Sequence, residues 1–265
     1  MTWKEKYGTL ALIAGASEGI GAAFATQLAA AGIDLILVAR RPEPLEKLAA
    51  ALREQYRIAV DCVTCDLADP QAAQQLVAAT SGREIDVLVY NAALSYIGPF
   101  EKNTIAQHTQ LAHANMITPM LLIQLLGEPM LQRGRGAVIL MASLAGFQGS
   151  GFLAAYAASK AFDRVLAESL WYEWRDRGVD VIACCAGATS TPNYINTKPQ
   201  KTSIFAPAVQ SPDEVVSECL RRLGTTPSFI TGTGNKLASF LMQRLMPCRS
   251  AVTIMGDNTR QMYRL

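Results

Sequence analysis

The chain has 265 residues, of which 50% are hydrophobic and 17% charged. This composition excludes a disordered, collagen-like or low-complexity protein and is sufficient for one large core. Lys and Arg number 24 and Asp and Glu 22, without a basic run, so nucleic acid is not an expected partner. Every apolar stretch is interrupted before about 18 residues and no secretory signal is recognised, so we expect no transmembrane segment and a cytoplasmic location.

Short apolar runs rich in β-forming residues alternate with helical stretches along the chain. The runs lie at residues 9–14, 35–39, 58–65, 86–90, 137–141, 179–184 and, more weakly, 229–231. Such alternation predicts βαβ units, and nearly continuous apolar strands predict a parallel sheet covered by helices on both faces. We therefore expect one domain over residues 1–265, an α/β, Rossmann-type doubly wound sheet of about seven strands.

The remaining segments are assigned from periodicity and from proline and glycine signals. Two long helices are predicted at residues 104–132, with a kink at Pro119, and at residues 152–175. Residues 190–211 contain prolines and lack periodicity, which predicts a long loop acting as a substrate lid. Residues 234–265 are predicted as a C-terminal helix followed by a tail.

A glycine-rich turn, AGASEGIG at residues 14–21, follows the first predicted strand and leads into a helix. Glycines in this context let the backbone turn tightly and approach a pyrophosphate that sits on the first helical amides, which predicts dinucleotide binding. The same residues match the G-x-S-x-G pattern of serine hydrolases, with Ser17 as the nucleophile. That alternative needs a histidine late in the chain, whereas the last histidine is His113.

Two arginines, Arg40 and Arg41, end the second predicted strand. A carboxylate at this position suits the ribose hydroxyls of NAD, whereas arginine suits the additional phosphate of NADP. The sequence therefore favours NADP(H), with a solvated basic pair as the alternative interpretation.

The chain contains one C-x-x-C motif, Cys62 to Cys65. It has no second pair to complete a metal site, and it lies in a predicted strand, where residues three apart point to opposite faces. We interpret these cysteines as structural and expect no metal.

In the second half of the chain, the three residues Ser143, Tyr156 and Lys160 suggest proton transfer. Ser143 follows the fifth predicted strand, and Tyr156 and Lys160 lie four residues apart on a predicted helix. That spacing places the phenol and the ammonium on one helix face, where the cation favours the ionised phenol. A tyrosine in this setting can act as an acid or a base near neutral pH.

The combination of these motifs resembles the short-chain dehydrogenase/reductase family over residues 9–231. The resemblance depends on the glycine-rich turn together with Asp66, Asn91, Asn115, Ser143 and the Tyr156–Lys160 pair. Two departures from the family pattern are Ala186, where proline is usual, and Ala93, where glycine is usual. Neither position carries a reacting group.

The resemblance implies a role for each matching residue. Tyr156 would be the catalytic acid/base, and Ser143 would hydrogen-bond the substrate oxygen. Lys160 would hold the nicotinamide ribose, and Asn115 would support a water path for the proton. Cofactor contacts are implied for Gly15, Ser17, Gly19, Ile20, Gly21, Arg40, Arg41, Asp66, Leu67, Asn91, Ala92, Tyr156, Lys160, Thr189 and Thr191. The family also implies a homodimer or homotetramer.

Within the family, the turn and the segments at residues 4–8, 187–192 and 211–214 are similar to those of bacterial NADP-dependent 7β-hydroxysteroid dehydrogenases. This similarity implies a secondary alcohol or ketone on a bulky hydrophobic molecule such as a hydroxysteroid or bile acid. Apolar walls for such a substrate are predicted at Leu94, Tyr96, Ile97, Leu144, Phe147, Phe152, Tyr194, Ile195, Ile204 and Phe205.

Other functions remain open at the level of sequence. The enzyme could instead reduce a 3-oxoacyl thioester or a xenobiotic ketone, because one fold serves many substrates. A different class is a sensor or scaffold that binds NADP(H) without turnover, although the intact Ser143, Tyr156 and Lys160 argue against it.

Overall fold

The structure, a computed structural model, describes residues 2–200 and 209–265. Over these residues its strands are β1 (Leu10–Ala14), β2 (Asp34–Ala39), β3 (Val60–Thr64), β4 (Val87–Tyr90), β5 (Gly136–Ser143), β6 (Val179–Ala186) and β7 (Ser228–Ile230). They form one sheet in the order β3-β2-β1-β4-β5-β6-β7, with parallel pairing throughout. The predicted doubly wound, Rossmann-type sheet is confirmed.

The helices of the described residues lie before, between and after these strands. They are α1 (Trp3–Tyr7), α2 (Gly19–Ala30), α3 (Pro42–Tyr56), α4 (Ala72–Ala79), α5 (Ile105–Ala112), α6 (Thr118–Arg133), α7 (Ala154–Trp174), α8 (Pro192–Asn196), α9 (Pro212–Arg222), α10 (Thr233–Arg244) and α11 (Cys248–Tyr263). None of the helices among the residues described here is both long enough and apolar enough to cross a membrane.

The core consists of two apolar layers, one on each face of the sheet. In β1, Ala11 and Ile13 belong to the layer that contains α2, α3 and α9. Leu12 and Ala14 belong to the opposite layer, with α4, α6 and α7. Alternate side chains of a strand point to opposite faces, so a strand buried on both sides must be apolar at every position. This explains the continuous apolar runs in the sequence.

The long helix predicted at residues 104–132, with a kink at Pro119, is interrupted by a π-helical segment. Helices α5 and α6 are joined by a π-helical segment, His113–Ile117, in which Thr118 donates its N–H to the carbonyl of His113. Pro119 lies in the first turn of α6 and has no N–H for the carbonyl of Asn115 four residues earlier. The proline therefore coincides with a widened turn.

Helix α7 begins later than the predicted residue 152. Phe152 has a φ of 63°, in the left-handed region, and therefore cannot belong to an α-helix. The helix starts at Ala154 and ends at Trp174, followed by a short 3₁₀ turn and Gly178 in the left-handed conformation.

The C-terminal region is more ordered than the predicted helix and tail. Helix α10 covers most of the predicted helix, but the predicted tail contains a second helix, α11, that begins directly after Pro247. In the proposed lid, residues 190–200 include the short helix α8. The predicted wall residues Ile204 and Phe205 lie outside the described residues.

Candidate active site

The glycine-rich turn connects β1 to α2 at the carboxyl edge of the sheet. The amide N–H groups of Gly15 and Ala16 donate to the carbonyl of Val38 at 2.8 and 3.0 Å. From the neighbouring strand end, the Asn91 side chain donates its Nδ2–H to the carbonyl of Gly15 at 2.8 Å. The turn is thus fixed against β2 and β4, at the point where the strand order reverses.

The turn fits a phosphate group closely because side chains are excluded from it. A Cβ on Gly21 would lie 1.9 Å from the Gly15 carbonyl oxygen, and one on Gly15 would lie 2.8 Å from the Ala92 nitrogen. Helix α2 has no side-chain cap at Glu18, so its first amides keep their hydrogen-bonding capacity for an anion. The residues present therefore fit the pyrophosphate of a dinucleotide.

A cavity of about 400 Å³ opens beside this turn, and we refer to it as the glycine-turn cavity. The predicted cofactor residues along its lining are Gly15, Ser17, Gly19, Ile20, Arg40, Arg41, Asp66, Leu67, Asn91, Ala92, Tyr156 and Thr191. Gly21 is instead buried beneath the turn. The structure therefore brings together residues from five strand ends that are far apart in the sequence.

The two arginines lie at the outer end of this cavity, and both are exposed. Arg41 forms an ion pair with Glu18, at 2.6 Å between Nη2 and Oε2. Exposed ion pairs of this kind contribute little to stability, so the pair is readily exchanged for another anion. The guanidinium groups are thus available to a phosphate on the cofactor's ribose, in competition with Glu18.

A second cavity of about 260 Å³, here called the Ser143 cavity, adjoins the first. Ser143, Lys160 and Thr189 line it, and Tyr156 lines both cavities. Ser143 is the last residue of β5, and its Oγ accepts a hydrogen bond from the Ala145 amide at 3.2 Å. The acid/base candidate is therefore located between a space suited to a dinucleotide and a space suited to a substrate.

Lys160 is buried on the same face of α7 as Tyr156. Its Nζ lies 6.0 Å from the centroid of the Tyr156 ring. The ammonium donates hydrogen bonds to the Met141 carbonyl at 2.7 Å and to the Asp163 carboxylate at 2.9 Å. Sequence analysis identified the Tyr156–Lys160 spacing but did not single out Asp163.

Asn115 lies in the π-helical segment and lines neither cavity. Its Oδ1 accepts from the Leu94 amide at 2.7 Å, and its Nδ2 donates to the Leu94 carbonyl at 2.9 Å and to Ser159 Oγ at 3.0 Å. The side chain thus joins the segment after β4 to α7. Its predicted part in a water path for the proton remains a prediction.

The predicted substrate walls agree only partly with the Ser143 cavity. Ile97 and Tyr194 line this cavity, whereas Leu94 lines the glycine-turn cavity. The other predicted wall residues within the described part of the chain line neither cavity; they are Tyr96, Leu144, Phe147, Phe152 and Ile195. Phe152 instead packs its ring under the Arg260 guanidinium, 5.2 Å away, and Ile195 is exposed.

Tyr263, at the end of α11, is a lining residue that the sequence did not reveal. Helix α11 packs against the segment between β5 and α7, where Gly151 and Gly256 allow close approach, and the Gln200 amide donates to the Met262 carbonyl at 3.0 Å. Burial raises the pKa of the Tyr263 phenol, with a smaller contribution from Tyr156. The C-terminal helix therefore contributes a polar group to the substrate side of the site.

The alternative chemistries considered from the sequence lack support in this arrangement. Neither His108 nor His113 lines either cavity, so Ser17 has no histidine base within the described part of the chain. Burial raises the pKa of the Cys62 thiol to about 11, which is opposite to the shift that a reactive thiol needs. Among residues 2–200 and 209–265, no cluster of His, Cys, Asp and Glu is suited to a metal ion.

Comparisons with known proteins agree with this geometry. The family model for short chain dehydrogenase matches residues 9–202. A 7beta-hydroxysteroid dehydrogenase of Clostridium sardiniense is 36% identical over 237 residues, which covers 89% of this chain and 90% of that protein. A solved 7beta-hydroxysteroid dehydrogenase, studied for its stereoselectivity, has a TM-score of 0.90 at 30% identity and covers 96% of this chain and 99% of its own.

A short-chain dehydrogenase from Sphingobium yanoikuyae, solved with NADPH, has a TM-score of 0.75 at 30% identity over 84% of this chain and 87% of its own. The chain belongs to the short-chain dehydrogenase family. It is an oxidoreductase that acts on CH–OH groups with a nicotinamide cofactor.

Proposed function

We propose that this protein is an NADP(H)-dependent hydroxysteroid dehydrogenase that interconverts a secondary alcohol and a ketone, with Tyr156 as the acid/base. The observation that carries the proposal is the position of Tyr156 on both cavities, beside Ser143 and Lys160. Arg40 and Arg41 at the outer end of the glycine-turn cavity support NADP(H) rather than NAD(H). The similarity to 7beta-hydroxysteroid dehydrogenases supports the substrate class.

The lining of the Ser143 cavity combines apolar side chains with uncharged hydroxyl and amide groups and carries little charge. Ile20, Ile97 and Leu153 contribute apolar surface, and among the described lining residues Lys160 is the charged one. Apolar walls with a few positioned polar groups are the usual features of a site that binds a hydrophobic ligand and fixes its orientation. The sparse charge favours a steroid nucleus over a small acid.

The proposed mechanism assigns one task to each polar side chain. When bound, the nicotinamide supplies a hydride to the carbonyl carbon in reduction or accepts one from the alcohol carbon in oxidation. Tyr156 donates its proton to the substrate oxygen in reduction and takes it back in oxidation. The Ser143 hydroxyl donates a hydrogen bond to the same oxygen and stabilises its developing negative charge.

Lys160 and Asn115 act around this centre in the proposal. The buried Lys160 cation stabilises ionised Tyr156 and would hold the ribose hydroxyls of the cofactor. The Asn115 carbonyl, which Pro119 leaves without its α-helical donor, is available to a water molecule that carries the proton from solvent. The side chain of Asn115 meanwhile keeps this carbonyl in place.

The substrate class is tested with the purified chain, NADPH and a panel of ketones. Because the relatives are named for position 7, we expect the highest kcat/KM with a 7-oxo steroid and a 7β-alcohol as the product. A small aliphatic ketone and a 3-oxoacyl thioester serve as comparisons. Preferential turnover of the thioester would contradict the steroid assignment, and cofactor binding without any turnover would favour a sensor.

We further propose that the protein forms a homodimer or homotetramer in the cytoplasm. Large apolar side chains are exposed on the helical run α5–α6 and on α7, namely Ile105, Met120, Leu125 and Val165. Exposed apolar side chains on these helices are available for an interface between copies of the chain. We expect light scattering to give two or four times the mass of one chain, and Val165→Glu to reduce it. A monomeric mass at micromolar concentration would contradict the proposal.

A further inference from the structure

A buried carboxylate lies one helical turn beyond Lys160. Asp163 Oδ2 accepts a hydrogen bond from Lys160 Nζ at 2.9 Å, and the two side chains are only 3% and 4% exposed. The same ammonium donates to the Met141 carbonyl on β5 at 2.7 Å. Asp163 therefore holds Lys160 between α7 and the sheet, next to Tyr156.

Stability alone does not explain a charged pair in this position. Burying an ion pair costs about as much desolvation energy as the attraction returns, and well-packed apolar residues are often as stable. The second oxygen of Asp163, Oδ1, is buried and has no hydrogen-bond partner among the described residues. Among the described residues, the Asp163 carboxylate is thus hydrogen-bonded through Oδ2 to the Lys160 ammonium, while Oδ1 has no partner. This arrangement indicates that Asp163 has a role in the candidate active site.

The pair balances its own charge within the site. Burial by itself lowers the pKa of the Lys160 ammonium, but Asp163 and Tyr156 raise it, and it lies above its ordinary value. Burial raises the pKa of the Asp163 carboxyl, and Lys160 opposes that shift. The contact of 2.9 Å between Nζ and Oδ2 is that of an ammonium–carboxylate ion pair, in which the two charges sum to zero.

The other titratable groups around the pair lie on α7 itself and on neighbouring elements. On α7 itself they are Tyr156, Arg164 and Glu168; from other elements they are Cys185 on β6, Tyr90 on β4, Tyr263 on α11, and His108 and His113 on the run that packs against α7. Asp163 is the carboxylate in direct contact with Lys160.

We propose that Asp163 is a positioning residue that fixes Lys160 and, by balancing its charge, sets the pH range in which Tyr156 exchanges its proton. This inference rests on the proposed role of Tyr156 as the acid/base. With Asp163 present, the group of Tyr156, Lys160 and Asp163 loses a proton from a neutral state. Without the carboxylate, Tyr156 and Lys160 together carry a charge of +1 before they lose that proton. Loss of a proton from this positively charged group costs less free energy than loss from the neutral group, whether Tyr156 or Lys160 releases it.

The first test follows Tyr156 directly and needs neither substrate nor cofactor. The NMR shift of its ring carbon Cζ is titrated in isotope-labelled protein and identified by its absence in Tyr156→Phe. In Asp163→Asn we expect the titration midpoint to fall by about one pH unit or more, because a neighbouring negative charge has been removed at low dielectric. Asp163→Glu, which keeps the charge, should restore most of the wild-type midpoint.

The matched control is Asp86→Asn. Asp86 is also buried, but its carboxylate accepts from the amides of Thr9 and Leu10 at the opposite end of the sheet. Its replacement tests the loss of a buried carboxylate as such, and the Tyr156 midpoint should not move. If Asp163→Asn does not fold, Asp163→Ser carries the same prediction with less volume at the site.

The second test is the pH profile of alcohol oxidation, which requires ionised Tyr156. In Asp163→Asn the acid limb of kcat should move to lower pH by the same amount, while the KM of the alcohol changes little. An unchanged midpoint in a folded variant, or an equal shift in Asp86→Asn, would overturn the proposal. A shifted NMR midpoint together with unaltered activity in Tyr156→Phe would instead uphold the charge balance and refute the proposed function.

Discussion

Replacing Tyr156 by Phe is expected to lower kcat about a thousand-fold while the chain stays folded. Phe keeps the ring that lines the two cavities and removes only the hydroxyl that we propose transfers the proton. Cofactor binding should change by no more than a few-fold, because the glycine-rich turn and its cavity are intact. The measurements are kcat by nicotinamide absorbance, cofactor affinity by fluorescence, and thermal unfolding.

A control on the same helix tests whether the loss of kcat is specific to Tyr156 or follows from replacing any tyrosine of α7. Tyr172 lies on α7 but is exposed and lines neither cavity. Tyr172→Phe should therefore keep full activity. If Tyr156→Phe retained wild-type turnover, the proton would have to come from another group, and Tyr263, which also lines the Ser143 cavity, would be the next residue to replace.

The largest expected effect on cofactor choice comes from replacing Arg40 and Arg41 together by Ser. Each charge-assisted hydrogen bond to a phosphate contributes about 1.5 to 3 kcal/mol, so kcat/KM with NADPH should fall about a hundred-fold or more. The value with NADH should change only a few-fold, because NADH lacks the additional phosphate. The two cofactors are compared at one fixed ionic strength, since both guanidinium groups are exposed and screened by salt.

Two further variants define the cause of this loss. Glu18→Gln removes the carboxylate that pairs with Arg41 at 2.6 Å and should lower the KM for NADPH a few-fold, because the phosphate no longer competes for the guanidinium. Arg177→Ser removes an exposed arginine from the opposite end of the sheet and should have no effect. Equal losses with NADPH and NADH in the double variant would contradict the NADP(H) proposal.

Much of the site could be predicted from the sequence because its parts are local patterns. The glycine-rich turn, AGASEGIG, occupies consecutive residues between a strand and a helix, so its shape follows from local chemistry. Tyr156 and Lys160 are four residues apart, and helical geometry alone places them on one face. The strands are continuous apolar runs, which identified a parallel sheet with two covered faces.

Other features could not be read in this way because they depend on contacts between distant segments. Tyr263 lines the same cavity as Tyr156 only because α11 packs against the segment before α7, and the residues of the predicted tail carry no local signal of that packing. Phe152 looked like a substrate wall, but a left-handed backbone angle directs its ring to Arg260 instead. Where a kink at Pro119 was predicted, the helix has a π-helical turn, within which Asn115 is hydrogen-bonded to two other segments.

By itself the sequence therefore determined the fold class and the family and led to the proposed reacting side chains, since each follows from patterns within a few neighbouring residues or from the periodicity of burial. The tertiary structure alone decided how these groups are combined. It located Tyr156 between two cavities, paired Arg41 with Glu18 and brought Asp163 into a buried contact with Lys160. Burial and charge pairing arise from packing among whole elements, and these contacts set the electrostatics of the site.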